Sequence, residues 1–200
     1  MRGRLITIEG LDGAGKTTLS QGLAAALPDA RLLREPGGVE LSERIRALVK
    51  DPSLAVDPRA EALLYAAARA QLVAERLVPL LDGGADVLLD RFVDSSLAYQ
   101  GAGRGLGVAE IAELNRFATA GLVPDLTLYV RVDPAVGAQR AAGDDRMEQA
   151  GRPFFATVAA AYDALAAADP GRIVVLDGEQ PPEDVLAAAL GAMKHLQSPG

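Results

Sequence analysis

Gly10-Leu11-Asp12-Gly13-Ala14-Gly15-Lys16-Thr17-Thr18 is the most informative stretch of this 200-residue sequence. It fits the pattern G-x-x-x-x-G-K-[ST], in which backbone N–H groups surround phosphate oxygens and the lysine reaches the β- and γ-phosphates. An apolar run at residues 5–8 precedes it, and a helical pattern begins at about Lys16. A strand, a glycine loop and a helix in this order predict a nucleotide phosphate site, with Thr17 offering its hydroxyl to Mg²⁺.

The composition predicts one globular domain over residues 1–200, since half of the residues are hydrophobic. The net charge of −7 predicts no general affinity for nucleic acid or anionic membranes. There is no cysteine, which excludes a disulfide framework and a thiolate metal site. The sequence has no apolar run of membrane-spanning length, and its first strand begins too early to leave room for a signal peptide. We therefore expect a cytoplasmic protein without a membrane partner.

Short apolar runs alternate with longer helical patterns, which is typical of a parallel sheet flanked by helices. The predicted strands cover residues 4–9, 31–34, 86–90, 126–132 and 172–176. The predicted helices cover residues 16–27, 41–50, 58–81, 108–120, 134–142, 152–168 and 182–196. We expect an α/β fold with a five-stranded parallel sheet of the P-loop NTPase type, whose ligands bind beyond the carboxyl ends of the strands.

Charged residues follow the second and third predicted strands. The second strand leads into Arg34-Glu35-Pro36-Gly37-Gly38, a tight turn with a charged pair beside it. The third leads into Asp90-Arg91-Phe92, where Asp90 can face Mg²⁺ and Arg91 can grip a phosphate through two N–H groups. An arginine directly after Asp90 favours transfer between two anionic substrates over hydrolysis of ATP.

Three further segments carry weaker signals. Tyr65 and Arg69 share one helix face and fit a base-binding pair, but their spacing alone favours a core tyrosine and a surface arginine. Residues 94–100 fit a polar loop, followed by a flexible glycine loop at 101–105. Residues 140–153 are charged and broken by glycine, so we expect a lid that closes arginines onto the transferred phosphoryl group, the alternative being a solvated connection.

In this order and spacing, the segments resemble those of bacterial thymidylate kinases from about Leu5 to the C-terminal helix. The motifs that carry the resemblance are residues 9–18, residues 34–38, Tyr65 with Arg69 and Gln71, Asp90-Arg91-Phe92 with Ser95, Tyr99 and Gln100, and Pro124-Asp125-Leu126-Thr127. The resemblance implies a nucleoside monophosphate kinase fold with a small lid, and usually a homodimer. It implies transfer of the γ-phosphoryl group of ATP to dTMP in the presence of Mg²⁺, giving dTDP and ADP.

The resemblance also implies roles for residues. The ATP site would contain Gly10, Leu11, Asp12, Gly13, Ala14, Gly15, Lys16, Thr17, Thr18 and Arg140. The dTMP site would contain Asp12, Arg34, Glu35, Pro36, Tyr65, Arg69, Arg91, Ser96, Tyr99 and Gln100. The catalytic residues would be Lys16, Arg91, Arg146 and Asp12, and the metal would lie at Thr17 and Asp90.

Within these sets, Tyr65 would stack on thymine and Arg69 would hydrogen-bond to its carbonyl edge. Tyr99 would crowd the 2′ position of the sugar, and Asp12 would hold the 3′-hydroxyl. Gly13 occupies a position where some relatives carry an arginine, so that charge would come from Arg146 in the lid.

Two alternatives remain open at this point. A deoxynucleoside kinase acting on thymidine would need a carboxylate base, and Glu35 could be that base. A nucleotide-binding switch module would select guanine through N-K-x-D, but the only asparagine, Asn115, is followed by Arg116.

Overall fold

A computed structural model describes residues 2–140 and 151–196. Within these ranges, five parallel strands form one sheet: β1 (Leu5–Glu9), β2 (Arg31–Arg34), β3 (Val87–Asp90), β4 (Leu126–Arg131) and β5 (Ile173–Asp177). The strand order is β2-β3-β1-β4-β5, so β1 lies at the centre between β3 and β4. The predicted five-stranded parallel sheet is therefore confirmed, with each strand within one residue of its predicted ends.

Helices connect and flank the strands. In chain order they are α1 (Lys16–Ala26), α2 (Glu40–Lys50), α3 (residues 58–82), α4 (residues 93–103), α5 (Val108–Ala118), α6 (Pro134–Arg140), α7 (Arg152–Ala168) and α8 (Pro182–His195). Helix α3 begins as Pro58–Leu72, passes through a π-helical turn at Val73–Leu77 and ends as Val78–Asp82. Helix α4 consists of Val93–Ser96 and the π-helical segment Leu97–Gly103. No helix in the described part of the chain is long and apolar enough to cross a membrane.

The sheet is covered on both faces, as the side chains of β3 show. Leu88 belongs to a core cluster that includes residues of α1, α7 and α8, whereas Val87 and Leu89 belong to a second cluster with α3. Neighbouring side chains of a strand point to opposite faces, so both faces of β3 are buried. This explains why the central strands appear in the sequence as continuous apolar runs instead of alternating patterns.

The structure corrects the prediction of a polar loop followed by a flexible glycine loop after the third strand. Residues 93–103 are helical, and Ser95, Ser96 and Gln100 are buried. The glycines allow close packing here: a Cβ on Gly103 would lie 2.6 Å from a ring carbon of Phe154 on α7. Glycine composition predicted a loop because tertiary packing is not visible in local sequence.

The register of the sheet brings the predicted site segments to one edge. Arg34 at the end of β2 pairs with Asp90 at the end of β3, and Asp90 pairs with Ile8 of β1. The glycine loop after β1, the turn after β2 and the segment after β3 therefore start side by side. Of the predicted lid, Arg140 ends α6 and Arg152 begins α7, while residues 141–150, including Arg146, lie outside the described residues.

Candidate active site

The glycine loop wraps tightly between β1 and α1. Gly10 has a φ of +143°, and a Cβ there would lie 2.4 Å from the carbonyl oxygen of Val130, so only glycine fits. Lys16 is the first residue of α1 and is buried, with Nζ donating to the carbonyl oxygen of Leu11 at 2.6 Å. Burial and the nearby charge of Arg91 lower the pKa of Lys16 to about 8.

An ion pair connects the glycine loop to the segment after β3. Arg91 Nη2 lies 2.7 Å from Asp12 Oδ1, and the hydroxyl of Tyr99 lies 3.3 Å from Asp12 Oδ2. Burial alone would raise the pKa of Asp12, but the charges of Arg91 and Lys16 hold it down at about 2. Asp12 is therefore ionised at neutral pH and can accept a hydrogen bond from a ligand hydroxyl.

Arg91 adopts a backbone conformation that non-glycine residues rarely show, with a φ of +68°. Its own N–H donates to the carbonyl oxygen of Ile8 at 3.0 Å, and the N–H of Phe92 donates to Glu9 Oε1 at 2.7 Å. These bonds fix the turn that places the Arg91 guanidinium over the Tyr99 ring, 5.1 Å from its centroid. Such local strain is common at functional sites.

Arg69 is buried, which excludes the interpretation of a surface arginine. Its Nε and Nη2 donate to Glu35 Oε2, and Nη2 also donates to the carbonyl oxygen of Phe92 at 2.8 Å. Its Nη1 donates to Ser96 Oγ at 2.9 Å and to Asn115 Oδ1. All five N–H groups of the guanidinium are thus directed at protein acceptors. Burial raises the pKa of Glu35, against the opposing charge of Arg69.

A cavity of about 500 Å³ brings the predicted site residues together. All ten residues predicted for dTMP line it: Asp12, Arg34, Glu35, Pro36, Tyr65, Arg69, Arg91, Ser96, Tyr99 and Gln100. Of the residues predicted for ATP, those that line it are Asp12, Gly13, Gly15, Lys16, Thr17, Thr18 and Arg140. Gly10, Leu11 and Ala14 do not line it, and the Leu11 and Ala14 side chains pack in the core instead.

Two side chains that line this cavity carry oxygen atoms of the kind that Mg²⁺ prefers. Asp90 Oδ1 is buried and accepts no hydrogen bond from the described residues, and Thr17 lines the same cavity. Within residues 2–140 and 151–196, no group of three or more acidic, histidine or cysteine side chains could hold a metal by itself. Mg²⁺ usually takes one or two protein ligands together with substrate phosphates and water.

Some residues that line the cavity were not predicted. Arg46 and Lys50 of α2 line the cavity, and Arg46 donates to the carbonyl oxygen of Pro36 at 3.0 Å. Their spacing of four residues, on a helix directly after the turn at 34–38, was the available signal.

Glu9 begins the motif at residues 9–18 but had no predicted role. It is fully buried and accepts hydrogen bonds from Phe92, Ser95 and the hydroxyl of Tyr162 on α7. Burial, followed by the nearby Asp94 carboxylate, raises its pKa to about 7. Glu9 therefore ties β1 to α4 and α7 behind the Asp12–Arg91 pair.

Comparison with known proteins identifies the family. A family model described as thymidylate kinase matches residues 8–189. The chain is 48% identical to a thymidylate kinase of Deinococcus radiodurans over 198 residues, which cover 96% of both proteins. It is 44% identical to one of Lactobacillus delbrueckii subsp. bulgaricus over 205 residues, which cover 97% of both.

A solved structure supports the same assignment. The crystal structure of thymidylate kinase from Ehrlichia chaffeensis superimposes with a TM-score of 0.80 at 29% sequence identity, covering 96% of this chain and 99% of that one. The family model spans most of the chain and the relatives are aligned over nearly their full length. This chain belongs to the thymidylate kinase family.

Proposed function

We propose that this protein transfers the γ-phosphoryl group of ATP to dTMP, giving dTDP and ADP. The observation that carries the proposal is a single cavity lined by two kinds of groups. Lys16 and Thr17 of the glycine loop suit a nucleoside triphosphate, while Tyr65 and Gln100 suit a nucleobase. The Asp12–Arg91 ion pair belongs to the same cavity and can serve the sugar and phosphate of the second nucleotide.

In the proposed complex the loop N–H groups and Lys16 hold the β- and γ-phosphates of ATP. Tyr65 stacks on thymine, Asp12 accepts from the 3′-hydroxyl, and Tyr99 restricts the 2′ position. Arg91 and Arg34 bind the dTMP phosphate, together with the nearby cations of α2. Because all five Arg69 N–H groups have protein acceptors, a base carbonyl would share one of them with Ser96 or Asn115.

Catalysis by these residues would consist of positioning and charge stabilisation. The acceptor is a phosphate monoester, whose second pKa of about 6 leaves it largely dianionic at pH 7. It needs no protein base, and Glu35 is engaged in an ion pair with Arg69 at 2.7 Å. Lys16, Arg91 and the lid arginine Arg146 would neutralise the charge that develops during transfer.

Mg²⁺ would be held by Thr17 and Asp90. Asp90 Oδ1 supports this, because it is buried and accepts no hydrogen bond from the residues that the structure describes, and such an oxygen is costly unless a cation balances it. When bound, the ion would neutralise charge on the β- and γ-phosphates.

A homodimer is also part of the proposal. Helices α3 and α5 pack against each other, and both carry large exposed hydrophobic side chains. These are Leu63 and Val78 on α3 and Val108 and Phe117 on α5, with Val123 just beyond. Phe117 is 86% exposed, which suits an interface better than a solvated surface. The cytoplasmic location expected from the sequence stays a prediction, and so does the lack of a nucleic-acid partner.

A panel of acceptors with ATP and Mg²⁺ tests the function. dTMP, dUMP, dCMP, dAMP, dGMP and thymidine are compared, and the diphosphate or monophosphate formed is separated and quantified. We expect dTDP formation from dTMP to exceed every other product. Phosphorylation of thymidine but not dTMP would instead support the deoxynucleoside kinase. Tight GTP binding without any phosphorylated acceptor would support the switch module, although Asn115 is buried against Arg69.

A further inference from the structure

Glu61 is a buried carboxylate behind the wall of the cavity. It lies on α3 with none of its surface exposed, and two residues of the 93–104 segment donate to it. Gln100 Nε2 lies 2.9 Å from Glu61 Oε1. Arg104 Nε and Nη2 lie 3.2 and 3.1 Å from Oε1 and Oε2. Glu61 does not line the cavity, so its effect on a ligand is indirect, and Gln100 is a partner of Glu61 that does line it.

The contact with Glu61 determines which way the Gln100 amide faces. A carboxylate paired with an arginine has no hydrogen to donate, so the NH₂ group of Gln100 must be the side that faces it. The carbonyl oxygen, Oε1, is then directed elsewhere and receives no hydrogen bond from the described residues. It is not among the buried unpaired atoms, which in the described residues are Glu35 Oε1 and Asp90 Oδ1. Since Gln100 lines the cavity and its NH₂ group is held by Glu61, Oε1 is the amide atom that remains for a ligand there.

A hydrogen-bond acceptor at the position of Gln100 Oε1 discriminates between pyrimidine bases. Thymine and uracil carry an N–H group at ring position 3, which can donate to Gln100 Oε1. Cytosine carries a lone pair there, which would face the oxygen without a hydrogen between them. We propose that Glu61 is a positioning residue for base specificity: by fixing the Gln100 amide, it makes the site accept bases with an N3–H group and reject cytosine. This inference rests on the proposed function, with the base lying beside Tyr65.

The variant Glu61→Gln tests this role with almost no change in volume. Arg104 donates to both carboxylate oxygens, so the new NH₂ group meets an Arg104 N–H group in either orientation. In the orientation that places NH₂ at the position of Oε1, it also faces Gln100, which then turns its own oxygen toward residue 61 and presents NH₂ to the cavity. Glu61→Gln therefore no longer holds Gln100 in one orientation. The exposed Glu183→Gln on α8 is the matched control, since it removes the same charge away from the cavity and from the proposed dimer surface.

The measurement is kcat/KM for dTMP, dUMP and dCMP with ATP in excess. For Glu61→Gln we expect kcat/KM for dTMP and dUMP to fall together by about twofold to tenfold, because N3–H would meet a donor in the molecules whose Gln100 has turned. The value for dCMP should stay constant or rise, and KM for ATP should not change. Glu183→Gln should keep the wild-type ratios. If Glu61 only supported the fold, all three acceptors would lose activity in proportion, and that result would overturn the inference.

The double variant Glu61→Gln/Gln100→Glu keeps the proposal testable even if the single variant Glu61→Gln does not fold. It conserves total charge and volume, lets the new amide at position 61 donate to the new carboxylate at position 100, and returns an acceptor oxygen to the cavity. We expect its ratio of dTMP to dCMP to lie within about threefold of wild type, whether or not the single variant folds. A folded double variant that no longer rejects dCMP contradicts the proposal. A wild-type protein inactive on dTMP would refute the proposed function itself, whereas an unchanged ratio in Glu61→Gln refutes the role of Glu61 alone.

Discussion

At the residue scale, the proposed function makes ATP binding depend on the charge of Lys16. Its lowered pKa of about 8 means that free enzyme loses this charge as the pH rises through 8, although an ordinary lysine would keep it. We expect KM for ATP to rise by up to about tenfold for each pH unit above 8. kcat should fall less, because bound phosphate stabilises the protonated amine.

Steady-state kinetics between about pH 6.5 and 9.5, at saturating dTMP, measure this effect of the Lys16 pKa. The control is KM for dTMP at saturating ATP, since Arg91 has its pKa raised well above the ordinary arginine value and stays charged throughout. A constant KM for ATP up to the highest pH would show that Lys16 does not titrate in this range.

The sequence allowed prediction of residues whose place follows from a local motif. The glycine loop and the residues after β2 and β3 were predicted because a strand end fixes where they emerge, and the structure brings them to one cavity. Their individual roles stay predictions. Asn115 and Tyr162 were not predicted, because their partners Arg69 and Glu9 are 46 and 153 positions away in sequence. Only the packing of helices onto the sheet brings such pairs together.

At the scale of single elements, helix α4 shows where local patterns mislead. Gly101 and Gly103 favour a loop by composition, yet they lie in a π-helical segment packed between neighbouring helices. The reason is steric: the backbone of α4 approaches Phe154 too closely for a side chain at 103.

Gly103→Ala tests this packing. The new Cβ would lie 2.6 Å from a ring carbon of Phe154 and must displace it, so we expect a destabilisation of about 1–3 kcal/mol. Gly191→Ala in α8 is the matched control: its Cβ would contact nothing within 4 Å, and the change should stabilise the helix by about 0.5–1 kcal/mol. Urea unfolding followed by circular dichroism measures both. Equal stability of Gly103→Ala and wild type would show that α4 and α7 separate easily.

At the scale of the whole molecule, the parallel sheet was predictable because its central strands are buried on both faces and its connections are helical. The surface for self-association was not predictable from the hydrophobic periodicity of the helices, since the sequence alone does not distinguish an exposed hydrophobic side chain from a core one. Phe117 sits in α5 at a position that fits a core residue, yet it is 86% exposed in the single chain. Leu63 on the adjoining helix α3 is also more than half exposed.

Phe117→Lys should therefore weaken self-association without unfolding the chain. The wild-type protein is expected to sediment at twice the chain mass of 20.7 kDa. A lysine at position 117 would place a charge in each half of a hydrophobic interface, where a buried unpaired charge is unfavourable, so the dimer dissociation constant should rise at least about a hundredfold.

Val175→Lys on β5, at the opposite edge of the sheet from β2, is the control and should remain dimeric. Analytical ultracentrifugation over a concentration series gives both constants, and circular dichroism checks the fold. A Phe117→Lys protein that stays as strongly dimeric as Val175→Lys would place the interface on a face other than that of Phe117.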